Sequence, residues 1–358
     1  GLGLAFSFDP NRHFQAFLAF TVFWEFLFED SDKTNERAGL EIEQAYFFLK
    51  DIWEDRFSFQ AGRQRFEDER EWLFDEELDG VRTFYKKSNF TTEFSISRLN
   101  LLERDLLNSD EEDRINNYLF RTIYQVDNGD KEHYSAAYLF FQDDRSEENE
   151  SPFFIGIQSN GDLFENTAYW LELALVLGKE GSDDIRAFGF DIGFTYELDL
   201  PLEPSVTFGF AFGTGDDNPE DGESNSFRQT GFQNNEGSFN GVPDFSYYGE
   251  VFDPELSNLL IFTAGLGINI TEKSSIDFVY HYYQQHKSFD SFRDVGIDAE
   301  PNGESKNIGN EVDLILGYEE IWNTELALRL GYFIPGNAFS SESANVFSAL
   351  LEFQYEFR

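Results

Sequence analysis

Along much of the chain, large apolar residues recur at every second position. Tyr169, Leu171, Leu173, Leu175 and Leu177 alternate with Trp170, Glu172, Ala174, Val176 and Gly178. Phe188, Phe190, Ile192, Phe194, Tyr196 and Leu198 alternate with Ala187, Gly189, Asp191, Gly193, Thr195 and Glu197. Val206, Phe208, Phe210 and Phe212 do the same against Thr207, Gly209, Ala211 and Gly213, and Leu351, Phe353, Tyr355 and Phe357 against Glu352, Gln354 and Glu356. A helix would space its apolar residues by three and four, so this period of two predicts strands with one apolar and one polar or small face. A soluble sandwich alternates too, with its apolar face inward. Two features favour a membrane barrel instead. The segments run to about 10 to 15 residues, against ~5–6 for soluble strands. Aromatic residues (Trp24, Trp53, Tyr124, Tyr196, Tyr318, Tyr332, Tyr355) also fall at segment ends, where interfacial girdles belong. The expected fold is all-β: a transmembrane, antiparallel, up-and-down β-barrel.

Seventeen strands are predicted: 2–8, 13–28, 39–53, 57–65, 79–87, 91–99, 117–127, 133–143, 152–158, 167–178, 184–198, 204–214, 257–271, 275–286, 308–319, 324–334 and 345–357. Short links near 54–56, 88–90, 128–132, 199–203, 272–274 and 320–323 largely alternate with long, mostly acidic ones near 29–38, 66–78, 100–116, 144–151, 215–256, 287–307 and 335–345. Residues 159–166 form a long member of the short class and 179–183 a short member of the long class. Short periplasmic turns and long external loops alternate in this way in outer-membrane barrels, which close with an even number of strands. Seventeen is odd. Either a first strand is missing before residue 1, giving eighteen, or 2–8 is not a strand, giving sixteen; eighteen is the expectation. No repeat, linker or second domain is read, so 1–358 is expected to be one domain.

The 358 residues carry 26 Lys and Arg against 69 Asp and Glu, a net charge of -43. Such a balance excludes nucleic acid as a partner, because phosphates need cations to neutralise them. With 43 Phe, 16 Tyr and 5 Trp the chain is too aromatic for an acidic disordered protein. It has no Cys, hence no disulfide, thiolate nucleophile or Cys-based zinc site. No apolar run approaches the ~18 residues of a membrane helix, and no signal peptide is read at Gly1.

A polar lumen would carry the function, through rings of charge and loops over the mouth. Basic residues on predicted strands are Arg63, Arg65, Arg82, Arg121 and Arg329. Arg121 and Arg329 alternate with apolar neighbours and should face the lumen, since arginine on the lipid face costs roughly 2–4 kcal/mol near the midplane. Each could brace the wall against a lumen carboxylate, or the set could form a ladder of guanidinium forks for passing carboxylates. Acids expected on the same side are Glu43, Glu93, Glu172, Asp191, Asp277, Glu311 and Asp313. A mixed wall would let a polyelectrolyte slide without holding it. The four histidines (His13, His133, His281, His286) lie on three segments and no nucleophile or metalloprotease motif occurs, so no enzyme is expected. No cofactor is expected either. Acidic stretches such as Asp216 to Glu223 and Asp105 to Asp113 could associate diffusely with Ca²⁺ or Mg²⁺ between lipopolysaccharide head groups, without a defined site.

Phe59-Gln60-Ala61-Gly62-Arg63-Gln64-Arg65-Phe66-Glu67-Asp68, followed by Trp72 and Asp75, resembles the Gly-Arg-Gln-Arg signature of the alginate export porin family. Further stretches agree in order: Phe227 to Asn235 with Phe239-Asn240-Gly241; Tyr248-Gly249-Glu250-Val251-Phe252 with Glu255 to Leu259; then Ile308-Gly309, Glu311 to Leu314 and Gly331 to Phe339. The resemblance runs from about residue 40 to the C-terminus. It implies an eighteen-stranded outer-membrane barrel exporting a polyuronate through an arginine-lined constriction, with Arg63, Arg65 and Arg329 as polymer contacts and 227–258 as a long external loop. The chain departs from the pattern in its charge and in Tyr247 and Tyr248, where a basic residue would suit a polyanion. Charge beyond a Debye length of about 8 Å need not veto anion passage, though it lowers polyanion concentration at the mouth. The function expected is therefore a channel for an alginate-like polysaccharide or small polar solutes, in the bacterial outer membrane. The alternatives are a general cation-preferring porin, or a structural barrel whose lumen or mouth holds a partner, such as a periplasmic protein.

The terminal Leu351, Phe353, Tyr355, Phe357 stripe resembles the aromatic-ended strand recognised by outer-membrane insertion machinery, apart from the Arg358 that follows it. Phe357→Asp is predicted to block insertion; a normal heat-modifiable band in outer membranes would contradict this.

Overall fold

The computed structural model describes residues 1–29, 33–102, 104–107, 115–127, 132–146 and 149–357, with 25–29, 33–37 and 127 described through their backbone alone. Parts of the links expected near 29–38, 100–116, 128–132 and 144–151 lie outside the described residues, as do much of the Asp105 to Asp113 run and Arg358.

Among the described residues, every predicted strand is formed: β1 (Leu2–Asn11), β2 (Phe14–Glu29), β3 (Lys33–Asp51), β4 (Phe57–Glu67), β5 (Asp75–Lys87), β6 (Phe90–Arg98), β7 (Ile115–Asp127), β8 (Glu132–Asp144), β9 (Glu150–Phe164), β10 (Thr167–Glu180), β11 (Asp183–Glu197) and β12 (Ser205–Gly213). After three two-residue strands, β13 (Glu223–Ser224), β14 (Glu236–Gly237) and β15 (Phe245–Ser246), come β16 (Leu259–Thr271), β17 (Ser274–Gln285), β18 (Asn307–Tyr318), β19 (Thr324–Pro335) and β20 (Val346–Tyr355). The sequence-based bounds shift most at β3, which begins at Lys33 rather than 39, and at β9, which continues to Phe164 rather than 158 and leaves a two-residue turn where a longer link was expected. Because 2–8 belongs to a strand, running against β2 from Leu2↔Val22 to Asn11↔Phe14, the sixteen-strand count falls away.

Residue contacts group the chain in two compact units, 1–67 with 75–124 and 137–153, and 68–74 with 125–136 and 154–358. The first holds the antiparallel run β1 to β7. The second holds β10 to β12 and β16 to β20, each antiparallel to the next. Strands β8 and β9, and the last residues of β7, divide between the two units.

In the second unit the alternation sorts the two faces. Leu173 is 41% exposed, Phe188 45% and Phe208 54%, whereas their neighbours Ala174, Ala187 and Thr207 are at 0–2%. Apolar side chains thus cover the outward surface, and small or polar ones the inner surface. That is inverted relative to a soluble sandwich and suits a wall set in hydrocarbon, where strands can cross only if every backbone N–H and C=O is paired. No helix among the described residues is long and apolar enough to cross a membrane. Leu173→Arg is predicted to lower folding stability in lipid by about 2–4 kcal/mol, read by urea titration of vesicle-folded protein; an unchanged midpoint would mean that this face does not meet lipid.

Candidate solute path

In the first unit, strand pairing sets Arg63 of β4 opposite Ala45 on one side and Asp79 of β5 on the other. The guanidinium grips Asp79 through two bonds, Nε–Oδ1 at 3.0 Å and Nη2–Oδ2 at 2.7 Å. It also donates to the carbonyls of Ile42 and Leu102, and the residue is 4% exposed. With four bonds to the protein and almost no exposed surface, Arg63 is turned into the wall and withheld from a passing polymer. Arg82 and Arg121 share Glu93, at 2.6 and 2.9 Å, with Glu93 fully buried between them. Arg104 is the opposite case, lying 3.1–3.6 Å from Glu41, Glu43, Glu76 and Glu77. Arg65 meets Asp75 at 2.5 Å and Glu67 at 3.5 Å while its side chain stays 41% exposed, so among the arginines singled out from sequence it keeps the most reach toward solvent.

The second unit holds Glu172, Asp191, Asp277, Glu311, Asp313 and Arg329. The first five are buried on the inner side of β10, β11, β17 and β18, and Arg329 of β19 lies 3.5 Å from Glu352. Two stretches read as external loop fold onto that inner side: 68–74, and most of 225–258. Their apolar content explains why. Trp72, Leu73, Phe74, Phe227, Phe245 and Phe252 are each at most 1% exposed, and burying such a side chain is worth about 1.5–3 kcal/mol. Trp72 stacks on Phe227 at 5.9 Å, Trp170 on Phe239 at 5.6 Å and Phe252 on Phe333 at 5.4 Å.

Arg70 stands at the centre of this packing. Its guanidinium lies between the rings of Trp170 (4.5 Å) and Tyr247 (4.2 Å) and donates to Asp191 Oδ2 at 3.2 Å. Asp191 also accepts from Trp170 Nε1 at 2.8 Å and from the Tyr248 hydroxyl at 3.2 Å, and that hydroxyl accepts from Trp72 Nε1 at 3.0 Å. Burial pushes both phenols well above their ordinary pKa, so they remain neutral donors. Glu172 faces Asp191 across the β10–β11 ladder, two buried acids that would repel without the adjacent guanidinium. A Cβ at Gly193 would collide with the Trp170 ring, so that indole needs glycine opposite it. The basic residue missing at Tyr247 and Tyr248 thus arrives from another segment, and Tyr247 is its stacking partner. Sequence reading did not mention Arg70 and named Trp72 and Trp170 only within a motif and an alternating strand, because nothing in the local pattern places 68–74 inside. The available signal was three consecutive large apolar residues, Trp72-Leu73-Phe74, in an acidic link.

Further bonds hold the two segments together and to the wall. The 68–74 segment folds on Asp68, which accepts from the N–H groups of Leu73 (2.9 Å) and Phe74 (2.7 Å) and from Gln158 (2.8 Å). Gln229 donates to the Trp72 carbonyl at 2.8 Å, and Thr230 to that of Leu73. Glu311 accepts the N–H groups of Val251 (2.6 Å) and Phe252 (3.0 Å) and the Tyr283 hydroxyl (3.1 Å). Gly249, at φ +119°, lies so near that hydroxyl that no side chain would fit. Asp313 lies 3.4 Å from Nε2 of buried His281. Among the described residues no group of three or more acids or histidines is arranged to hold a metal.

A family model described as alginate export matches residues 5–349. The alginate production protein AlgE of Pseudomonas aeruginosa is 29% identical over 199 residues, 51% of this chain and 39% of that protein. Its namesake in Azotobacter vinelandii is 28% identical over 181 residues, 44% and 37% respectively. The match thus spans less than half the length of these relatives. In structure the chain is similar to P. aeruginosa OpdK, solved with vanillate, at a TM-score of 0.60 and 10% identity over 99% of this chain and 90% of that one. It is also similar to OccK11 of that organism, at 0.55 and 14% over 99% and 92%. These likenesses show the fold of the outer-membrane porins.

Two outcomes follow. Arg70→Ala strips Asp191 of its cation at a cost of about 3–5 kcal/mol, so 68–74 should undock, raising single-channel conductance and admitting protease at that segment while heat-modifiable mobility is unchanged. Glu255, whose side chain is 8% exposed, has its pKa raised by burial to about 7, against the pull of Arg293 3.4 Å away. An acid raised in the folded state stabilises docking below its ordinary pKa of 4.5 and loses that contribution as pH climbs toward about 7. Open-channel noise should therefore grow from pH 5 to 7.5, and Glu255→Gln should stay quiet throughout; identical pH profiles would refute the assignment.

Proposed function

Because this chain belongs to the alginate export family, we propose that it is an outer-membrane channel passing a polyuronate of the alginate kind, or small polar solutes, along its inner face, and that the inner face carries no catalytic step. One observation carries this reading: on the inner side of the first unit the Arg65 side chain stays 41% exposed although it pairs with Asp75 and Glu67, beside the Arg82–Glu93–Arg121 cluster. Arg65 can exchange forked hydrogen bonds with successive carboxylates, while nearby acids such as the four around Arg104 keep any one contact weak enough to release. Arg65 is the contact residue on this reading, with Arg82 and Arg121 setting the local potential.

The same acids support a second reading, a cation-preferring porin, in line with the charge of -43. A partner protein lodged in the second unit finds less support, since that inner side is already covered by 68–74 and 225–258. Reversal potentials in planar bilayers under a KCl gradient, with and without oligo-uronate, separate the two. Anion preference with oligo-uronate block, weakened in Arg65→Ala, is the expected result; cation preference without block would replace the polyuronate by small cations.

A further inference from the structure

The outward face of the second unit carries chemistry that transport does not use. His133 and Ser135 lie two apart on β8, on one face. It is the outward face, since Tyr134 and Ala136 between and after them are buried. Ser135 Oγ is 2.9 Å from His133 Nε2. The other ring nitrogen, Nδ1, is 2.9 Å from the hydroxyl of Tyr169 on β10. Ser159 of β9 closes the ring, its Oγ 2.8 Å from both Ser135 Oγ and the Tyr169 hydroxyl. Three neighbouring strands thus converge four side chains beside the two-residue β9–β10 turn.

These are the relations that activate a serine: a hydroxyl on an imidazole nitrogen, and a third group on the other nitrogen fixing the ring. With Nδ1–H donating to the phenol oxygen, Nε2 is left as acceptor for the Ser135 proton. The hydroxyl of Ser159 stands beside the nucleophile, where it can donate to an oxyanion. His281 offers a contrast. It meets Thr263 Oγ1 at 3.0 Å but is fully buried, where no substrate reaches.

An apolar groove of about 640 Å³ adjoins the ring, with Tyr169 in its lining beside Leu163, Phe164, Leu171, Phe194 and Phe208. It lies on the outward face, where a membrane supplies acyl chains. We infer that Ser135, His133 and Tyr169 form an acyl-ester hydrolase site that takes a lipid ester with its chain in this groove. Ser135 Oγ attacks the ester carbonyl carbon while its proton passes to His133 Nε2. The carbon–oxygen bond to the alcohol then breaks, and that alcohol leaves with the proton from Nε2. Water attacks the acyl-serine in turn, again giving a proton to Nε2; the carboxylic acid is released and the Ser135 hydroxyl restored. Ser135 and His133 are catalytic residues here, and Tyr169 is a positioning residue.

The test is labelling of the full chain, folded in detergent micelles, with a long-chain alkyl fluorophosphonate, the modified residue mapped by peptide mass spectrometry. Hydrolysis of a p-nitrophenyl acyl ester is followed alongside. Label on Ser135 is expected, lost in Ser135→Ala and slowed about 100-fold or more in His133→Ala, each variant keeping heat-modifiable mobility. Tyr169→Phe should displace the pH profile of labelling while leaving the saturation constant for the probe unchanged. Mapping the label to Ser135 excludes a co-purifying hydrolase. Folded protein with no label on Ser135, or His133→Ala labelled as fast as the parent, would overturn the assignment.

Discussion

A single carboxylate holds the interior of the second unit in order. Asp191 projects from β11 into space from which water is excluded, and an isolated charge there would be costly. It is tolerated because an indole N–H, a phenol and a guanidinium converge on it from three separate stretches of chain. Each donor is fixed in turn: Trp170 over Gly193, Tyr248 by Trp72, Arg70 between two rings. The position of 68–74, and through it that of the 227–248 stretch, rests on satisfying this one charge.

The wall itself was legible in the sequence, and for a physical reason. A strand between hydrocarbon and a polar interior must alternate, so Tyr169 to Gly178 or Ala187 to Leu198 could be read residue by residue, and all seventeen strands appeared near their expected bounds. The inner segments obey no such period. Their apolar residues pack irregularly against the wall, and which of them meet depends on register between distant strands. Arg63 illustrates the limit. Its motif was visible, yet its saturation by Asp79 and two carbonyls depends on where β5 and the 101–102 backbone fall. The pairing of Ser135 with groups on β9 and β10 was hidden in the same way, because a ring spanning three strands leaves only a His-x-Ser in the sequence.

The charge of -43 takes on another aspect beside these contacts. Within the first unit, Arg63 pairs with Asp79, Arg65 with Asp75 and Glu67, and Arg82 and Arg121 with Glu93, while Arg104 draws four acids, so each of these cations stands against at least one acid. Much of the surplus acid lies in links such as 216–223. Their charge acts on solutes in bulk water and is screened there by salt, whereas the groups on Glu93 act at short range in a drier setting. Net charge therefore describes the approach to such a channel better than its passage.

The bonds that seat the inner segments join residues very far apart in the chain. Arg70 reaches Asp191 over 121 positions, Trp72 reaches Tyr248 over 176, and Tyr247 returns to the Arg70 carbonyl over 177. Closing such loops in a free chain costs entropy that a single contact does not recover, so each of these bonds depends on the others and on β11 holding Asp191 in place. The wall is thus the template for the inner segments. The ordering cost of two aromatic-rich stretches is therefore met only where several such contacts form together on the wall, so the interior is bound to the wall as a set rather than bond by bond.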